Sequence, residues 1–139
     1  MSLEISQREK EGITLLDLKG PLTVGEAATA LRETLRRLLA EGRGNVVLNL
    51  QAVDYIDSTG LGAMMMCYTA LRRESGRLVL LNLNRRTMEL LVLTKLSTIF
   101  ELFDDEQQAV NSFFPNRQIR RFDILRFVEQ HRGDANPAE

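Results

Sequence analysis

The sequence predicts an α/β sandwich: a mixed central β-sheet flanked by about four α-helices, with one extra helix at the C-terminus. Two observations carry that expectation. Short runs such as Val46–Leu50 and Leu78–Leu81 alternate with longer stretches whose apolar residues recur at helical spacing. The short runs also show little apolar–polar alternation, as strands covered on both faces do.

Leu3-Glu4-Ile5-Ser6 alternates, as does part of Ile13–Leu18, and Gly12 separates them, so two antiparallel strands are expected. Gly20-Pro21 closes the second strand. Ala28, Leu31, Leu35, Leu38 and Leu39 form a helical stripe that stops at Gly42 and Gly44. After the Val46–Leu50 strand, a second helix is expected from about Thr59 to Glu74, stopping at Gly76. Leu78–Leu81 is the next strand, Arg85 to Leu93 the third helix, and Ile99–Phe103 a short strand. The last helix of the series is expected over Asp104–Phe114, with Asp104, Asp105 and Glu106 at its positive end.

Pro115 marks a boundary, giving a domain over 1–114 and an extension over 115–139. The extension carries five arginines and a short amphipathic helix expected from Arg121 to Arg132. Ile124, Phe127, Val128 and His131 share a face of that helix, with Leu125 at its margin. Such a helix can fold back on the domain, pair with a second copy as a homodimer, or dock another protein.

Composition excludes several classes. The 139 residues carry Lys+Arg 18 against Asp+Glu 19, a formal net charge of −1, with one Cys and one His. A single cysteine, Cys67, forms no internal disulfide and no cysteine zinc cluster. One histidine gives no His-rich metal site. Near-neutral charge argues against broad nucleic-acid or anionic-membrane binding. No apolar run reaches the ~18 residues of a membrane span. Met1-Ser2-Leu3-Glu4 has neither a basic nor an apolar leader region, so a cytoplasmic protein without catalytic machinery or cofactor is expected.

The chemistry concentrates in Val53-Asp54-Tyr55-Ile56-Asp57-Ser58-Thr59-Gly60-Leu61-Gly62, which leads from a buried strand into a helix. Asp57, Ser58 and Thr59 are all good N-cap residues. Gly60 and Gly62 each cost ~1 kcal/mol inside a helix. Their expected benefit is close approach, with first-turn amides left open to an anion or a partner. Phosphate on Ser58 would add nearly two negative charges there. From the residues alone, an ordinary unmodified Ser/Thr cap is the plainer reading. On the helical wheel Leu61, Met64, Met65, Tyr68 and Leu71 share the core face. Met66 points nearly opposite, with Ala63 and Ala70 close to its angle, and Cys67 falls between the faces as a half-buried small hydrophobe. Met66 is either an unremarkable exposed side chain or a partner contact beside Ser58.

At these residues the sequence resembles the STAS domain family, in particular the bacterial anti-sigma factor antagonists. The resemblance is carried by Asp57-Ser58-Thr59-Gly60-Leu61-Gly62 and extends over about residues 3–113. It includes Gly20-x-Leu22, Gly76-Arg77-Leu78-Val79-Leu80 and Leu93-Thr94-Lys95-Leu96. It implies that Ser58 is the phosphoacceptor of a partner that is both serine kinase and anti-sigma factor. The unphosphorylated protein would bind that partner, and a PP2C-type phosphatase would restore it. ATP and magnesium would belong to the kinase. Asp57, Ser58, Thr59, Gly60, Gly62, Ala63, Met66 and Thr23 are the expected partner-binding residues. Thr23 stands where the family usually has an acid, and Lys95 where glycine is common. The alternative implied is a constitutive STAS subunit of a signalling or lipid-transport complex. A serine hydrolase would need a base and an oxyanion hole, and the chain has no GxSxG elbow.

Overall fold

The computed structural model describes residues 2–130. Its elements run β1 (Glu4–Lys10), β2 (Ile13–Lys19), α1 (Glu26–Ala40), β3 (Asn45–Ala52), α2 (Ser58–Arg73), β4 (Arg77–Leu81), α3 (Arg85–Leu93), β5 (Leu102–Phe103), α4 (Glu106–Asn111) and α5 (Ile124–Gln130), with a 3₁₀ turn at Leu96–Thr98. The sheet order is β1-β2-β3-β4-β5. β1 and β2 form an antiparallel hairpin, and the remaining neighbours are parallel.

Topology dictates where the helices lie. From β2 to β5 the chain moves across the sheet in one direction, and right-handed crossovers then place α1, α2 and α3 on the same face. The buried residues follow. Leu16, Leu18, Val46, Leu48, Leu50, Leu78, Leu80 and Leu102 face the core under these helices. Ile13, Leu15, Val47, Val79, Leu81 and Phe103 face the other way, under Ala109 and Val110 of α4 and Phe113, Phe114 and Ile119 beyond it. Both faces are covered, which is why the strands show so little alternation.

At the closed end of the sheet, α1 and α2 return to their strands past Gly44 and Gly76. A Cβ built at Gly76 would overlap the Gly44 carbonyl oxygen, so glycine is required for this close approach. The left-handed residue at the end of α2 is Ser75, not Gly76.

Three expectations are corrected. The strand expected over Ile99–Phe103 is paired only at Leu102–Phe103, because Lys95 takes a left-handed conformation (φ 65°) and turns Leu96–Thr98 into a 3₁₀ segment. The helix expected over Asp104–Phe114 occupies Glu106–Asn111. The Asp105 carboxylate accepts from the Gln108 amide to start it. Phe113 and Phe114 then leave through tighter bonds to Val110 and Asn111. The tail helix begins at Ile124 rather than Arg121, since the Phe122 amide donates to the Leu102 carbonyl at 2.8 Å and Asp123 accepts from the Arg126 amide.

The tail lies along the outer edge of β5. Arg121 pairs with Glu101 at 2.6 Å. Ile124 is buried, and Phe122, Phe127 and Val128 pack beside it against the core that holds Met88 and Leu91 of α3. These residues thus fold back on the chain's own core, leaving Leu125 outward. The expected contribution of His131 lies outside the described residues.

Candidate partner-binding site

The site is built where the chain leaves β3. Two backbone segments are zipped together ahead of α2. Gly20 N–H donates to the Ala52 carbonyl, Leu22 N–H to the Tyr55 carbonyl and Asp57 N–H to the Leu22 carbonyl. A parallel bridge between Leu22 and Ile56 accompanies these bonds. The loop between β2 and α1 is thereby fixed beside the start of α2.

Asp57 is the N-cap of α2 and locks the two segments with one carboxylate. Its Oδ1 accepts from the Gly60 amide at 2.8 Å, and its Oδ2 accepts from the Val24 amide at 3.0 Å. These amides, Gly60 first, hold the Asp57 carboxyl below the usual carboxylate range. Ser58 is the first residue inside the helix and is exposed, as are Thr59 and Gly62.

The glycines divide their work differently from expectation. A Cβ at Gly60 would overlap the Leu22 carbonyl oxygen, and the Gly60 amide is already taken by Asp57. Gly60 serves contact with the chain's own loop rather than an open anion cradle. Gly62 has open space where its Cβ would be, so the surface is flat there.

Other expected residues separate into surface and core. Met66 is 58% exposed, whereas Ala63 is 1% exposed and Cys67 is also buried. The wheel placed Ala63 near Met66, but α1 packs against that flank of α2 and covers both Ala63 and Cys67. Burial pushes the Cys67 thiol up to about 12, outweighing the opposite pull of Arg32. Thr23 is half-buried next to Val24.

Exposed apolar residues that the sequence did not mark as contacts lie near this site: Tyr55 and Leu93 beside Ser58, and Val24 in the loop that Asp57 holds. Val24 is 69% exposed, Tyr55 44% and Leu93 80%. Tyr55 and Leu93 line an open groove of about 580 Å³ with Ser58, Asp57, Leu61 and Leu90, and Arg86 sits over the Tyr55 ring at 5.5 Å. No pattern reveals such residues, because each is a lone apolar position in a loop or at a helix end. Only the fold brings Tyr55 and Leu93 to one rim. No helix of the described residues is long and apolar enough to cross a membrane.

A sheet of this order, with a capped Asp-Ser start to the helix after its central strand, defines a recognisable class. Residues 4–109 match the STAS domain model, and the chain belongs to the STAS domain family. Among curated relatives, it is 29% identical over 102 residues to the anti-sigma-B factor antagonist of Bacillus subtilis, covering 73% of this chain and 92% of that one. Solved structures share the fold. An anti-sigma factor antagonist from Mycobacterium paratuberculosis superposes with a TM-score of 0.67 at 22% identity, over 79% of this chain and 92% of that one. The Bacillus cell fate determinant SpoIIAA in its phosphorylated form superposes with a TM-score of 0.63 at 18% identity, over 79% and 99%.

Proposed function

We propose that this chain is an anti-sigma factor antagonist of the cytoplasm. Unphosphorylated, it binds an anti-sigma factor that is also a serine kinase. Phosphorylated on Ser58, it releases that partner, and a PP2C-type phosphatase resets it. Residues 1–114 form the STAS domain and 115–139 an extension, whose described part docks on the domain through Phe122, Ile124, Phe127 and Val128.

One observation carries this reading: Ser58 stands exposed at the first position of α2, on the rim of a groove that the exposed Tyr55 and Leu93 also line. An exposed apolar rim of this kind marks a protein contact. The curated relative's name and the phosphorylated SpoIIAA structure support the same reading. Physical chemistry supplies the switch. A phosphate on Ser58 carries about −1.5 to −2 charges at the positive end of a helix, so the fold tolerates it. Asp57 already occupies the Gly60 amide, which leaves that donor unavailable to a phosphate. The new charge stays on the surface, where a docked apolar partner would have to desolvate it.

Incubating the protein with its anti-sigma factor, ATP and magnesium, then measuring intact mass and mapping the modified residue, tests the proposal. A single phosphate at Ser58 is expected. A stable complex with Ser58 unmodified after that incubation would instead support a constitutive STAS subunit.

A further inference from the structure

At 100° per residue, Ser58, Gly62, Met66, Thr69 and Arg73 fall within an arc of about 80° on α2. All five are exposed, so the helix carries one open strip over its whole length, about 22 Å from Ser58 to Arg73. Met66 stands up from its middle. Along one side of Met66 runs a groove of about 190 Å³ between α1 and α2, with Leu35, Leu39, Cys67 and Ala70 in it and Arg32 and Arg36 bordering it. On the other side a groove of about 340 Å³ lies over Met65, Thr69 and Ala70 and is bordered by Arg73.

The charges on this face are one-sided. Neither groove has a carboxylate in its lining. Arg8, Arg37, Arg43, Arg77, Arg117 and Arg121 are each engaged in an ion pair elsewhere. Arg32, Arg36 and Arg73 have none among the described residues. Glu33, the nearest acid on α1, lies outside both linings.

We propose that this α1–α2 face is a second contact of the same partner and receives an acidic amphipathic helix. The helix seats its apolar ridge along Met66 and directs its carboxylates at Arg32, Arg36 and Arg73. Two grooves flanking an apolar knob suit the i, i+3, i+4 spacing of such a ridge. Three unneutralised guanidinium groups select an acidic rather than a basic partner. The inference rests on the antagonist reading and adds the partner's chemistry to it. It also gives the switch a second element. Ser58 lies on the same strip, so its phosphate has the same sign as the incoming helix. Arg73 is more than two Debye lengths from Ser58 at physiological salt, taking about 8 Å as that length, so the phosphate repels the helix without neutralising the far arginine.

The test is a titration of the full chain with its own anti-sigma factor, using wild type, Ser58→Asp, Arg32→Glu/Arg36→Glu and Arg32→Lys/Arg36→Lys, at low and high salt. Melting curves check that each variant folds. The double charge reversal is expected to weaken binding by about tenfold or more and to flatten its salt dependence, with the lysine pair close to wild type. Wild-type affinity in the charge-reversed protein overturns this inference. If Ser58→Asp still loses binding in that case, the antagonist reading stands. If Ser58→Asp binds normally while the charge reversal does not, the switch falls and this surface remains. A wild-type chain that binds no anti-sigma factor overturns both. Vesicles of phosphatidylglycerol and sedimentation of the chain alone cover the other occupants. If charge reversal abolishes lipid binding or self-association and leaves the protein complex intact, the inference is likewise overturned.

Discussion

At the residue scale, the site depends on one carboxylate and one missing side chain. Asp57 joins α2 to the loop that follows β2, and Gly60 lets the Leu22 carbonyl lie directly against the helix. Replacing Gly60 by alanine forces a methyl group into that carbonyl. The expected cost is about 1–3 kcal/mol, together with displacement of the loop carrying Thr23 and Val24. Denaturant unfolding measures the first effect and amide exchange at Leu22 and Val24 the second. Unchanged stability with unchanged exchange would show that the contact is not needed. This part of the site was half legible in the sequence. That one of Asp57, Ser58 and Thr59 caps the helix, and that Gly60 and Gly62 mark a close approach, follow from residue type and spacing. The identity of what Gly60 approaches does not, because Leu22 is distant in sequence and is brought there by its bonds to Tyr55 and Asp57 and the Leu22–Ile56 bridge.

At the scale of elements, hydrophobic periodicity located the strands and most helix centres but not the ends decided by particular contacts. Arg85–Leu93 reads correctly because Asn84 caps it, its carboxamide oxygen accepting from the Thr87 amide. β5 does not, because its length is set by the left-handed turn at Lys95 rather than by its own apolar run. A non-glycine residue there costs about 1–2 kcal/mol. Lys95→Gly relieves that cost against the extra entropy of an unfolded glycine, so a net gain of about 0.5–1 kcal/mol is expected in chemical denaturation. A loss of stability would mean that the lysine side chain contributes more than its backbone conformation costs. The wheel of α2 failed in a comparable way at Ala63 and Cys67. A single helix has one core face when considered alone, but α2 packs on both the sheet and α1, and its buried arc is correspondingly wider.

At the scale of the whole molecule, the hairpin and α4 are tied by charge across the second face of the sheet. Arg8 holds Asp17 and Glu106, each at 2.6 Å. The Arg8 guanidinium keeps both carboxyls below their ordinary range. Groups depressed in the folded state stabilise it above their unfolded pKa values, about 3.9 for Asp and 4.3 for Glu, and that contribution is lost as pH falls through the lower folded values. The thermal midpoint of the wild type is therefore expected to fall more steeply than that of Arg8→Ala between pH 6 and pH 3, taking the window from about one unit or more either side of those values. Parallel curves would show that the network contributes nothing to folding. On the other face of the sheet, the α2 start carries Ser58 beside the exposed Tyr55 and Leu93, and the proposed switch is set there. The affinity of Ser58→Asp and Ser58→Ala for the anti-sigma factor measures that dependence most directly. Ser58→Ala is expected to bind like the wild type, and Ser58→Asp not to bind detectably at the same concentrations. Equal binding by the two variants would contradict the switch.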